Sequence, residues 1–126
     1  MFTYIDSLED LSFLNQELLQ QPYVALDTEF RRTTKHNMKL ALLQVKDEDE
    51  IYIIDTILIQ DPGEHVSFLF SDLVTKIFHS CKEDLEAIHS WTQKKMVKIF
   101  DTQLANSFLD GDFTIGYQGL VEQELG

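Results

Sequence analysis

Two acidic residues one position apart, Asp27 and Glu29, stand in the otherwise apolar run Tyr23-Val24-Ala25-Leu26-Asp27-Thr28-Glu29-Phe30. In an extended strand successive side chains alternate, so both carboxylates project from one face, with Cα atoms about 6.5 to 7 Å apart. That spacing lets them share a cation, and like charges on one strand face repel unless a cation or protons neutralise them. A strand running out into solvent after Leu26 would leave the same pair as end decoration, so the motif alone leaves both readings open. A third acid, Asp84, falls with Cys81, Leu85, Ile88 and Trp91 on the apolar stripe of a helix over 81–91, whereas Glu83 and Glu86 fall elsewhere. An acid in the first turns complements the helix dipole, which does not account for its inward direction. Three carboxylates from two elements make the hard-oxygen donor set of Mg2+ or Mn2+. Two such ions about 3.5 to 4 Å apart would activate a water and stabilise the leaving oxygen of a phosphodiester. Zinc is disfavoured, because His36, His65, His79 and His89 lack H-x3-H and H-E-x-x-H spacing and Cys81 is the single thiol.

Positive charge concentrates directly after the acidic pair. Arg31, Arg32, Lys35 and Lys39 lie in the polar stretch 31–39, read as a loop, where they could contact phosphate or simply be solvated. His79 precedes the 81–91 helix and could reach the same region, or serve only local packing and hydrogen bonding. Ser80 with Glu83 reads as a capping box, Asp101 as the cap of a following helix, and Cys81 as a small buried residue. Lys82, Lys94, Lys95 and Lys98 read as exposed surface charge.

Positioning these groups requires a particular order of elements. Leu8, Leu11, Leu14, Leu18 and Leu19 predict an amphipathic helix over 8–20, with Ser7 and Asp10 as its capping box and Pro22 as its stop. Short apolar runs at 23–30, 40–45 and 51–55 predict three strands, the last two joined by the polar turn 46–50, which implies an antiparallel meander. Beyond Asp61-Pro62-Gly63 the pattern becomes a helix around 66–73, a strand at 76–78, the 81–91 helix, a strand at 97–100 and a helix at 102–109. Alternation of that kind requires parallel strands with crossover helices. The whole is an α/β mixed sheet flanked by helices. After Asp110-Gly111-Asp112, a helix-like stretch at 116–125 gathers Tyr117, Leu120, Val121 and Leu125 into an apolar face that needs a partner, a second copy of the chain included.

Composition bounds the function. At 126 residues the chain is one domain with a core of its own. Ten Lys and Arg against 22 Asp and Glu give a net charge of −12, a mean field that repels nucleic acid. Hydrophobic residues at 44% place that acidity on a folded domain and exclude a disordered acidic tail. One cysteine allows no internal disulfide, the N-terminus has no signal-peptide pattern, and no apolar run is long enough to span a membrane. These features predict a soluble, cytoplasmic protein without a membrane partner.

Four segments together resemble the ribonuclease D type of DEDD 3'-5' exonuclease: Leu26-Asp27-Thr28-Glu29-Phe30, Ala41-Leu42-Leu43-Gln44-Val45, Phe78-His79-Ser80-Cys81-Lys82-Glu83-Asp84-Leu85 and Phe100-Asp101-Thr102-Gln103-Leu104-Ala105. The resemblance covers essentially the whole chain. It implies an RNase H-like fold and a two-Mg2+ hydrolysis, with no small-molecule cofactor, that releases 5'-mononucleotides from the single-stranded 3' end of an RNA. Asp27 and Glu29 match the first exonuclease motif, with Asp27 bridging both ions, and Asp84 matches the second. The backbone around Thr28 and the Phe30 side chain would lie near the terminal nucleotide. The family's third motif, Tyr-x3-Asp, is expected beyond Gly126, so the chain reads as an exonuclease domain that is incomplete at its C-terminus and inactive or nearly so alone. The stretch 31–39 also departs from the Tyr-Tyr-Pro-like sequence that the family often carries there. A DNA exonuclease of the same superfamily and a non-catalytic binding module are the competing readings.

Overall fold

The computed structural model describes residues 2–34, 37–79 and 82–103. Its strands are β1 Phe2–Ile5, β2 Tyr23–Thr34, β3 Asn37–Lys46, β4 Ile51–Asp55, β5 Thr75–Phe78 and β6 Ile99–Asp101. Two α-helices, α1 Leu8–Leu18 and α2 Lys82–Thr92, and a 3-10 helix over Gly63–Phe70 accompany them. The strands form one mixed sheet in the order β1-β4-β3-β2-β5-β6. The expected meander is present, since β3 pairs antiparallel with both β2 and β4. So is the parallel half, in which β5 lies parallel to β2 and β6 parallel to β5.

Local chemistry explains most boundaries. Ser7 is extended and its hydroxyl accepts from the Asp10 amide at 3.2 Å, which caps α1 as predicted. The buried stripe Leu11, Leu14 and Leu18 follows the helical period. On the same stripe the Asn15 side chain donates to the Ser67 hydroxyl and accepts from the Phe68 amide, both at 2.9 Å, which binds α1 to the 3-10 helix. Between β3 and β4, Asp47 Oδ1 accepts from the amides of Asp49 and Glu50, as an Asx turn requires.

Strand register puts the core on one face. Leu26 lies opposite Val45, Val45 opposite Tyr52 and Leu43 opposite Ile54, and all are buried. Helix α2 packs over β2 and β3 and buries Ala87, Ile88 and Trp91, with the indole N–H donating to the Ile59 carbonyl at 2.6 Å.

The structure departs from the sequence reading in three places. β1 was not expected, since only Ile5 of its four residues is buried and the strand is recruited by parallel pairing with β4. The stretch 31–39, read as a loop, is in its described residues a continuation of β2 and β3, with Arg31 opposite Lys39 and Arg32 opposite Met38. Backbone pairing holds that arm together without an apolar pattern. The helix near 66–73 is a 3-10 helix ending at Phe70, interrupted by non-helical geometry at Val66. Lys35, His36, Ser80 and Cys81, the turn 110–112, the apolar face of 116–125 and all but the first two residues of the 102–109 helix lie outside the described residues.

One buried cation stands in β5. Lys76 lies opposite Val24, is fully buried, and donates from Nζ to the Ser71 carbonyl at 2.7 Å. Burial pushes its ammonium down to about 8, with Asp72 opposing and Lys98 reinforcing the shift. The unfolded chain, with lysine near about 10.4, binds more protons than the native state above pH 8, so this residue's contribution to stability rises with pH across that window. Lys76→Met is therefore expected to be the more stable protein below pH 8, by a margin that shrinks toward pH 10. Urea midpoints of both proteins at about pH 7.5 and about pH 10 measure it, and a constant margin would contradict the assignment.

Candidate functional site

β2 pairs with β5 only as far as Ala25 opposite Ile77, yet stays with β3 to Thr34. Past Ala25 its β5-side edge is unpaired among the described strands. β5 ends at Phe78 and β6 at Asp101, and the chain from β5 then enters α2. Ligand crevices of open α/β sheets lie outside such carboxyl ends of parallel strands.

Strand alternation divides the residues of the first motif as predicted. Asp27 and Glu29 are exposed on one face, while Thr28, 7% exposed, lies on the buried face with Val24 and Leu26. From the first turn of α2, Asp84 reaches that buried face and is itself only 8% exposed. Thr28 joins the two elements. Its backbone N–H donates to Asp27 Oδ1 at 3.0 Å, and its hydroxyl donates to Asp84 Oδ1. Burial raises the proton affinity of the Asp84 carboxyl, the Thr28 bond works against that rise, and the negative charges of Asp27, Glu83 and Asp101 add to it. Among the described residues no three His, Cys, Asp or Glu side chains are gathered into a ready metal group. The donor chemistry nevertheless fits a hard divalent cation, because the charges of Asp27, Glu83 and Asp101 oppose ionisation of Asp84 and a cation relieves that repulsion.

The other predicted residues are distributed around this centre. Phe30 is half-buried and packs against the core. Arg31 is exposed, whereas Arg32 forms an ion pair with Glu86 of α2 at 2.5 Å, which ties the arm to the helix. His79 is exposed at the end of β5, and its Nδ1 lies 2.9 Å from the Thr102 hydroxyl. The same hydroxyl lies 3.2 Å from the Phe78 carbonyl, so Thr102 links the His79 ring to the end of β5.

Asp101 caps the following turn by accepting from the Gln103 amide at 2.9 Å, as expected of it. It also does something the sequence did not reveal, since its buried charge acts on Asp84. The bond from the Thr28 hydroxyl was likewise missed, although a signal existed: strand period places that hydroxyl among apolar neighbours, where it needs a partner. The cleft between α2 and β6, about 260 Å3 and lined by Leu85, Ile88, Met96 and Ile99 among others, has none of Asp27, Glu29 and Asp84 in its walls.

A family model described as 3'-5' exonuclease matches residues 2–126. Ribonuclease D of Shewanella sp. (strain ANA-3) is 35% identical over 126 residues, covering 100% of this chain and 32% of that protein. Among solved structures, the catalytic core of RRP6 from Trypanosoma brucei superposes with a TM-score of 0.79 at 23% identity, over 87% of this chain and 31% of that one. Escherichia coli RNase D, described as an exoribonuclease involved in structured RNA processing, gives a TM-score of 0.74 at 25% identity, over 98% of this chain and 33% of that one. The chain thus spans about a third of the length of the curated relatives it matches.

Proposed function

The chain belongs to the 3'-5' exonuclease family, and from that premise we propose that it forms part of a ribonuclease D-like exoribonuclease, hydrolysing RNA from a single-stranded 3' end to 5'-mononucleotides in the cytoplasm. The observation that carries this reading is the meeting of β2 and α2 at Thr28, which holds Asp27 and Asp84 at the carboxyl end of the parallel strands. Asp27, Glu29 and Asp84 would hold Mg2+ or Mn2+. When bound there, such ions supply Lewis acidity that activates water and stabilises the leaving oxygen of the phosphodiester.

The remaining steps fall to the chain's own groups. Exposed Asp27 and Glu29 face the solvent side from which a strand end can enter, and rigid β2 fixes their separation. Arg31 lies two residues beyond Glu29 and would neutralise phosphate upstream of the scissile bond, a contact that positions without reading sequence. Arg32, already paired with Glu86, would act by holding the arm against α2. His79, held through Nδ1 by Thr102 at the end of β5, would present Nε2 to a sugar hydroxyl of the terminal nucleotide. Phe30 and the Thr28 backbone would line the floor beneath that nucleotide. A domain of net charge −12 gains little from long-range attraction to nucleic acid, which suits a grip on a few terminal nucleotides through cations.

The test incubates the intact protein with 5'-labelled RNA carrying a single-stranded 3' tail, with Mg2+ or with chelator. Stepwise shortening with release of 5'-mononucleotides in Mg2+, and none in chelator, is expected. Cleavage of the matching DNA at an equal or greater rate would reassign the substrate, and absence of any metal-dependent shortening would overturn the enzymatic reading in favour of a binding module.

A further inference from the structure

We infer that Thr28 is a positioning residue for the cation ligands: one buried side chain and its own amide orient carboxylates from two different elements. The inference rests on the reading of Asp27 and Asp84 as ligands given above.

Thr28 donates twice, from N–H to Asp27 Oδ1 and from its hydroxyl to Asp84 Oδ1. Each carboxylate is thereby oriented through Oδ1, which leaves Oδ2 and the second lone pair of Oδ1 for a cation. The hydroxyl has one proton, and spending it on Asp84 fixes the rotamer of a β-branched side chain already stiff at χ1. Thr28 also cannot move far, because Leu43 lies opposite it in β3 and both are buried. Partners that orient a ligating carboxylate in this way typically contribute about 10- to 100-fold to metal affinity.

The hydroxyl's role separates from the role of residue volume and of the backbone. Thr28→Val keeps shape, strand preference and the N–H bond to Asp27, and removes only the bond to Asp84. Thr28→Ser keeps the hydroxyl and removes a methyl group. Mn2+ titration of the intact protein by calorimetry, with Mn2+ alone as the probe, is expected to show about 10- to 100-fold weaker binding for Thr28→Val. Thr28→Ser is expected to stay within a few-fold of the native affinity, and urea midpoints verify that both variants are folded.

Native Mn2+ affinity in Thr28→Val would overturn the inference while leaving the metal site standing, provided Asp27→Ala abolishes binding in the same series. Equal losses in Thr28→Val and Thr28→Ser would also overturn it, by assigning the effect to packing. If Asp27→Ala binds Mn2+ like the native protein, the reading of the carboxylates as ligands fails, and the inference with it.

Discussion

Asp84→Asn is expected to lower the rate of RNA 3'-end removal by the intact protein by about 10²- to 10³-fold or more while leaving the fold as stable as the native protein at pH 7, or more so. The two effects have opposite signs for one physical reason. Asp84 is buried, and the charges of Asp27, Glu83 and Asp101 oppose its ionisation. A carboxyl whose folded proton affinity exceeds its unfolded value costs stability progressively as pH rises past the unfolded value, and the cost is complete once pH passes the folded one. Asparagine removes the charge but keeps an oxygen that accepts from the Thr28 hydroxyl. It therefore relieves repulsion among the neighbouring carboxylates and deletes a proposed cation ligand, and removal of a single electrostatic group typically costs about 10²- to 10³-fold. Such a trade between stability and activity is expected of a site built from unfavourable neighbours. Turnover of a 3'-tailed RNA and a urea midpoint at pH 7 measure the two effects. Activity within a few-fold of native would remove Asp84 from the ligand set, and a markedly lower midpoint would mean that its charge is compensated in the fold.

Phe68→Ala is expected to destabilise the protein by about 3 to 5 kcal/mol. Phe68 is fully buried in the 3-10 helix, beside Val66 and Leu69, which are also fully buried. The change deletes a ring and leaves a cavity, since Asn15 of α1 still holds the backbone at this point by accepting from the Phe68 amide. The wall cannot then collapse freely into the space, which is the condition under which large-to-small substitutions cost most. A loss of this size is a large share of the roughly 5 to 15 kcal/mol that holds a typical domain folded. Chemical denaturation followed by far-UV circular dichroism measures it. A shift below about 1 kcal/mol would mean that the 3-10 helix repacks and is not part of the rigid core.

Where the sequence carried a period, it was legible. α1 and α2 announced themselves by apolar stripes, and the stripe of α2 already included Asp84 as an inward acid. The meander and the parallel half followed from short apolar runs and from the alternation of strand and helix. Elements without a period were not legible. β1 is three-quarters exposed and exists because β4 offers it a parallel partner some fifty residues away in the chain. The extension of β2 and β3 past Phe30 is polar in its described residues except for Met38, and it is held by backbone pairing that no side-chain period reports. The 3-10 geometry at Gly63–Phe70 was hidden because Val66, Leu69 and Phe70 satisfy helical spacing as well.

For the site, the residue types and their order along the chain were fixed by sequence alone: Asp27 and Glu29 on one strand face, Asp84 on the buried side of a later helix, and basic residues directly after the pair. Period and chemistry are local properties, so they survive without coordinates. Only the tertiary structure decided which of these groups meet. It brought Asp84 to the Thr28 hydroxyl on the buried face, turned Arg32 toward Glu86, and placed the charge of Asp101 where it acts on Asp84. Those contacts depend on how far β2 outruns β5 and where α2 begins, and such offsets between elements distant in sequence are set by packing.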